Sequence, residues 1–196
     1  MLPSLRHIRF AVPSFHINLG HTSTCDRRPV LRDSKSNFLI DYGSGTGLIS
    51  LALSDLVDAI LLVDSSKQML EVAEVKISHK GIANAKVLHS DFTEETPELK
   101  ADIVLMSLVL LHMPDTKVIL QRLFNLLNDG GKLLIVDFDK NDKINHPKVH
   151  NGFSHERLKK ILSEVGFKSI EMNTFYHGKR IFMNQDASMF ISSSLK

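Results

Sequence analysis

The sequence predicts an α/β fold: a seven-stranded, mostly parallel sheet with helices on both faces and an antiparallel C-terminal strand. Three observations carry that expectation. From residue 37 onward, apolar runs of strand length alternate with segments of helical period. The first run, Phe38 to Tyr42, leads directly into glycines at 43, 45 and 47. The run Ile103 to Ser107 is apolar on successive residues, as expected of a parallel strand covered on both sides.

Taken in order, the first strand spans Asn37 to Tyr42, and a helix from Thr46 to about Val57 is expected to bury Leu48, Leu51, Ala52 and Leu56. The second strand, Ala59 to Val63, stops at Asp64. Ser65-Ser66-Lys67-Gln68 then has capping-box spacing for a helix that ends at Gly81. Met69, Val72, Ala73 and Ile77 are its expected apolar stripe, with Glu71, Glu74 and Lys76 as solvated charges. Ala85 to His89 forms a third strand, and Asp91-Phe92 opens a loop containing Pro97.

After the fourth strand, Ile103 to Ser107, Pro114-Asp115 starts a helix that buries Ile119, Leu123, Leu126 and Leu127. Asn128-Asp129-Gly130-Gly131 stops it before the fifth strand, Lys132 to Phe138. A polar connection from Asp139 to Gly152 follows. Ser154 caps the last helix, whose core side carries Leu158, Ile161, Leu162 and Val165 before Gly166 ends it. Phe167 to Tyr176 and Ala187 to Ser193 complete the sheet as antiparallel partners.

A chain of 196 residues suits one domain. Its formal charge of +2, without a concentrated basic block, gives no strong nucleic-acid signal. Cys25 is the sole cysteine, which excludes an internal disulfide and a cysteine-rich zinc site and fits a reducing, cytoplasmic setting. No apolar stretch reaches the length of a membrane span. Residues 1–36 differ from the rest: Arg6, Arg9, Arg27, Arg28, Arg32 and Lys35 face only Asp26 and Asp33. An irregular extension or substrate lid accounts for this composition, and an organelle-targeting segment is the competing reading.

The run Asp41-Tyr42-Gly43-Ser44-Gly45-Thr46-Gly47 separates the possible ligands of the first strand-to-helix turn. A dinucleotide fingerprint requires G-x-G-x-x-G/A, but Leu48 or Ser50 occupies the last place in either frame. A triphosphate loop requires a Gly-Lys-Ser/Thr that is absent. The remaining pattern, D-x-G-x-G-x-G after a buried strand, resembles the first motif of class I S-adenosylmethionine-dependent methyltransferases. That resemblance runs from residue 37 to the C-terminus and implies a Rossmann-like methyltransferase domain over 37–196.

It also implies site residues. Gly43, Gly45 and Gly47 would make room for the methionine end of S-adenosyl-L-methionine, with Asp41 ionised near its ammonium group. Asp64 matches the family's ribose-binding acid, with Ser65 beside it and Met69 either against adenine or in the core. Asp91 would accept from the adenine amine while Phe92 covers the ring. Met106 to Asp115 occupies the place where the family holds the methyl group and its acceptor, with Ser107 also among the cofactor-binding candidates.

The Asn/Asp-Pro-Pro-Tyr/Phe sequence typical of enzymes that methylate nucleobase amines is absent there. The L-H-x-x-D portion is instead similar to the small-molecule branch that includes ubiquinone and menaquinone C-methyltransferases, although the next strand lacks that branch's Ser-x-Pro ending. A small-molecule acceptor follows, with O-, N- or C-methylation open. Ser107 and His112 are the candidate catalytic residues, and a structural histidine closing the turn is the alternative for His112. His146, His150 and His155 do not share a helical face, so no metal is expected and solvated loop histidines are the simpler reading. Specificity is expected to depend on residues 1–36, the 139–152 connection and a loop over 176–186.

Two rival functions remain at this level. A cofactor-binding or partner-binding homologue without transfer activity would bind the donor but turn over no acceptor. An oxidoreductase on the same architecture would prefer a nicotinamide cofactor.

Overall fold

The computed structural model describes residues 37–92, 98–147 and 149–196. The extension or lid expected over 1–36 lies outside them, as do Cys25 and Pro97. The strands are β1 (Phe38–Tyr42), β2 (Ala59–Asp64), β3 (Ala85–His89), β4 (Ala101–Ser107), β5 (Leu127–Phe138), β6 (Lys168–Phe182) and β7 (Gln185–Leu195). They form one sheet in the order β3-β2-β1-β4-β5-β7-β6. β1 to β5 pair in parallel, and β7 lies antiparallel between β5 and β6.

Connections from β1 through β3 step toward one edge, and those from β4 step toward the other. Right-handed crossovers therefore place the 3₁₀ helix Ser50–Leu56 and α1 (Lys67–Lys80) on one face, with α2 (Thr116–Leu126) and α3 (His155–Val165) on the other. The helix ends follow local chemistry. Asp115 accepts the Lys117 and Val118 N–H groups, Ser66 and Ser154 cap α1 and α3, and Gly81 and Gly166 end them with left-handed backbone. Ile119, Leu120, Leu123 and Leu126 of α2 are buried against the sheet. Truncating one such leucine to alanine costs about 2–5 kcal/mol.

Four expectations are corrected. The segment after the glycine loop is turn and then 3₁₀ helix rather than a helix from Thr46, so three residues per turn bring Leu51 and Val57 inward. Leu48, Ala52 and Leu56 are exposed. In α1 the buried residues are Leu70 and Ala73, while Met69 and Val72 face outward. β5 begins at Leu127, five residues before the expected start at Lys132, and bends at Gly130, where φ is +77°. The loop expected over 176–186 is mostly strand, because Met183 and Asn184, with φ of +49° and +60°, make a tight hairpin turn.

Candidate active site at the carboxyl edge of the sheet

The strand order reverses between β1 and β4, and open α/β sheets bind ligands beyond the carboxyl ends of strands at such a point. The glycine loop leaves β1 there and is held along its length. Gly43 and Ser44 both donate to the Val63 carbonyl, at 2.8 and 3.0 Å. Gly45 N–H donates to Asp64 Oδ2 at 2.7 Å, while Asp64 Oδ1 accepts Ser66 N–H at 2.8 Å. Lys76 Nζ donates to Thr46 Oγ1 at 2.6 Å and to its carbonyl at 3.0 Å. Lys76 is thus a loop anchor rather than the solvated charge its helix position suggests, and burial pushes its ammonium down.

The three glycines have different reasons to be glycine. A Cβ on Gly43 would lie 2.3 Å from Val109 Cγ2, and one on Gly47 would lie 2.5 Å from Leu62 Cδ2. Gly45, with φ of +54°, would direct its Cβ into open space. Its amide is bonded to the acid at the end of β2.

Asp41 lies beneath this loop, only 3% exposed. Desolvation raises its pKa to about 7; the nearby Ser50 hydroxyl opposes that shift and the charge of Asp64 adds to it. Ionisation of this carboxyl is thus disfavoured by its surroundings unless a cation lies beside it. Asp91 accepts from the Tyr42 hydroxyl at 3.4 Å. Phe92 is fully buried and stacks on Tyr42, with ring centroids 4.8 Å apart, and the Arg122 guanidinium donates to its carbonyl. Its ring is a core element, so the expectation that it covers adenine is corrected. Ser65 is exposed, and its carbonyl contacts His89 Nε2 at 3.0 Å. Met69 stands 43% exposed beside them, which removes the core reading for it.

Beyond Ser107, which closes β4 in register with Val136, Leu108 takes left-handed backbone with φ of +56°. This turns the chain into a short 3₁₀ helix, Leu110–His112. Asp137, fully buried on β5, supports that helix from below: Oδ2 accepts Leu111 N–H at 3.1 Å and Oδ1 accepts Phe138 N–H at 2.8 Å. Desolvation raises its pKa to about 7, against those backbone bonds. Sequence reasoning passed over Asp137, although an acid inside an apolar strand was the available signal. His112 is exposed, with its imidazole pushed down by partial desolvation. Among the described residues no carboxylate pairs with its ring.

The three later histidines do not converge. His150 Nε2 contacts the Met113 carbonyl at 3.0 Å, whereas His155 Nε2 meets Asp139 Oδ1 at 2.7 Å. His155 is therefore a paired side chain and not a solvated loop histidine. Among the described residues no group of three or more His, Cys, Asp or Glu side chains is placed to hold a metal ion, and no helix is long and apolar enough to cross a membrane.

Residues 33–184 match the family model described as a methyltransferase domain. The chain is 30% identical over 118 residues to an uncharacterized methyltransferase of Mycobacterium tuberculosis, covering 60% of this chain and 55% of that protein. It is 29% identical over 128 residues to the ubiquinone/menaquinone biosynthesis C-methyltransferase of Vibrio vulnificus, covering 63% and 49%. The chain thus spans about half the length of these relatives. A crystal structure of a SAM-dependent methyltransferase from Aquifex aeolicus shares the fold with a TM-score of 0.64, at 21% identity over 81% of each chain. With the family model covering most of its length, the chain belongs to the methyltransferase domain family.

Proposed function

We propose that the chain is an S-adenosyl-L-methionine-dependent methyltransferase that modifies a small-molecule acceptor by direct in-line transfer, with residues 37–196 as the unit that holds the donor. One observation carries this reading: the space beside Gly45 at the switch point is open, and its amide fixes the carboxylate of Asp64. Each Asp64 oxygen accepts one backbone N–H and retains a lone pair, so the pair of oxygens suits two neighbouring ribose hydroxyls. Exposed Met69 and half-buried Asp91 lie at the ends of the next elements, where an adenine would extend.

When bound, the donor supplies a methyl group already activated by a positively charged sulfur. The work left to the chain is positioning. The glycine loop and Asp64 fix the donor, and buried Asp41 supplies negative charge near a cationic ligand when ionised. The turn Leu108–Met113, held by Asp137, borders the acceptor side. Orientation of this kind accounts for a large part of the barrier reduction in such transfers. The similarity to a quinone C-methyltransferase supports a small acceptor.

Isothermal titration of the full chain with S-adenosylhomocysteine tests the reading. Saturable one-site binding that is lost in Asp64→Ala is expected. The reading fails if the unaltered chain does not bind or if Asp64→Ala binds equally well. Binding without methyl transfer to any acceptor would favour the inactive homologue.

A further inference from the structure

We propose that Asp139 and His155 form the proton-accepting dyad of the acceptor side, and that the acceptor is a weakly acidic hydroxyl compound such as a phenol or enol. This inference rests on the methyltransferase reading above. Asp139 is the first residue beyond β5, at the same edge of the sheet as the glycine loop and the Leu108–Met113 turn. His155 opens α3. The chain between them folds back: His150 N–H donates to the Leu111 carbonyl at 2.8 Å, and Lys140 N–H donates to the Phe153 carbonyl at 3.0 Å. The connection between the two residues is thereby tied to the Leu108–Met113 turn, while the pair itself touches Thr174 of β6 and Phe190 of β7.

The division of labour follows from the contacts. Asp139 Oδ2 accepts the Thr174 hydroxyl at 2.9 Å, and Oδ1 contacts His155 Nε2 at 2.7 Å. With both oxygens engaged, the carboxylate is an orienting group. The imidazole is fixed a second time by an edge-on contact with buried Phe190, at a centroid distance of 5.5 Å. Among the described residues His155 Nδ1 makes no hydrogen bond, and the side chain keeps 32% exposure. A histidine held at one nitrogen by a carboxylate and open at the other is the arrangement of a general base, because the carboxylate fixes the tautomer and stabilises the imidazolium. His112, at the end of the neighbouring turn, has no such support.

The step balances as follows. The acceptor oxygen forms a bond to the methyl carbon as the carbon–sulfur bond breaks, and that electron pair returns to sulfur. The hydroxyl proton passes to His155 Nδ1. A neutral amine would need no base before attack, so the dyad points to a hydroxyl acceptor, and a phenol or enol, whose proton is the more acidic, is the hydroxyl that an imidazole base serves best.

1,4-Hydroquinone is the probe for a two-part experiment. In the complex with S-adenosylhomocysteine, titrating hydroquinone should shift the ring resonances of His155 in NMR spectra. With S-adenosylmethionine, transfer to hydroquinone should rise with pH along a limb that His155→Gln abolishes, with a rate loss of about 100-fold or more. Asp139→Asn should displace that limb, while affinity for S-adenosylhomocysteine is retained in both variants. His155→Gln within threefold of the unaltered rate overturns the dyad. So does a chain that binds S-adenosylhomocysteine but neither methylates hydroquinone nor shows the His155 shift. If His155→Gln fails to fold, Asp139→Asn and the NMR titration of the unaltered chain decide. Failure of the unaltered chain to bind S-adenosylhomocysteine instead removes the methyltransferase reading.

Discussion

Val109 fills the space in which Gly43 would carry a side chain, at 2.3 Å from Cγ2 to an ideal Cβ. The contact joins the loop after β1 to the turn after β4, the two segments on either side of the switch point. Gly43→Ala therefore meets two penalties: a clash and a φ of +71°, where an L side chain costs about 1–2 kcal/mol. We expect weaker S-adenosylhomocysteine binding and lower stability. Adding Val109→Ala should restore part of both, leaving the backbone cost. A double-mutant cycle with no coupling between the sites would contradict the contact's role.

Asp41 and Asp137 make stability depend on pH in a defined direction. Both folded pKa values are raised to about 7 from 3.8, so between these limits the folded chain holds more protons than the unfolded one. Their contribution is greatest below pH 4 and is lost as pH rises through 7. Denaturant titrations of Asp41→Asn and Asp137→Asn should show a smaller loss of stability across this window than the unaltered chain, by on the order of 1–4 kcal/mol in total for each. Equal losses would show that neither carboxyl titrates in that window.

The same raised pKa couples Asp41 to the donor. A cationic ligand favours the ionised carboxylate, so S-adenosylmethionine affinity should rise between pH 6 and 8 with proton release on binding. Calorimetry in buffers of different ionisation enthalpy measures that release. Asp41→Asn should remove it, and an unchanged proton count in that variant would assign the release elsewhere.

Lys76 reaches Thr46 from α1, thirty positions along the chain. Replacing it by Met keeps the stem but leaves the Thr46 hydroxyl and carbonyl without this donor, at a cost of about 1–3 kcal/mol. We expect a severalfold loss in S-adenosylhomocysteine affinity with a modest fall in Tm, both read on the same preparation. An unchanged affinity would confine Lys76 to α1 packing.

The sequence was most legible where one physical signal acted alone. Strands β1 to β4 were marked by apolar runs, and the caps at Ser66, Asp115 and Ser154 by short polar side chains before helical periods. α1 was harder, because Met69, Leu70, Val72, Ala73, Val75 and Ile77 populate more than one helical face and periodicity could not select which faced the sheet. At the site, Asp64 was legible from its place at the end of β2. Asp137 and the Asp139–His155 pair were not, since their partners are set by how the 139–154 connection folds back, which local pattern does not encode.

The most direct test of where the donor binds is a titration of isotope-labelled full chain with S-adenosylhomocysteine, followed by backbone amide shifts. The largest changes are predicted at Gly43 to Gly47, Asp64 to Ser66 and Asp91, with the β6–β7 hairpin turn at Met183 and Asn184 unmoved. An absence of binding, or shifts centred away from the glycine loop and Asp64, would contradict the account.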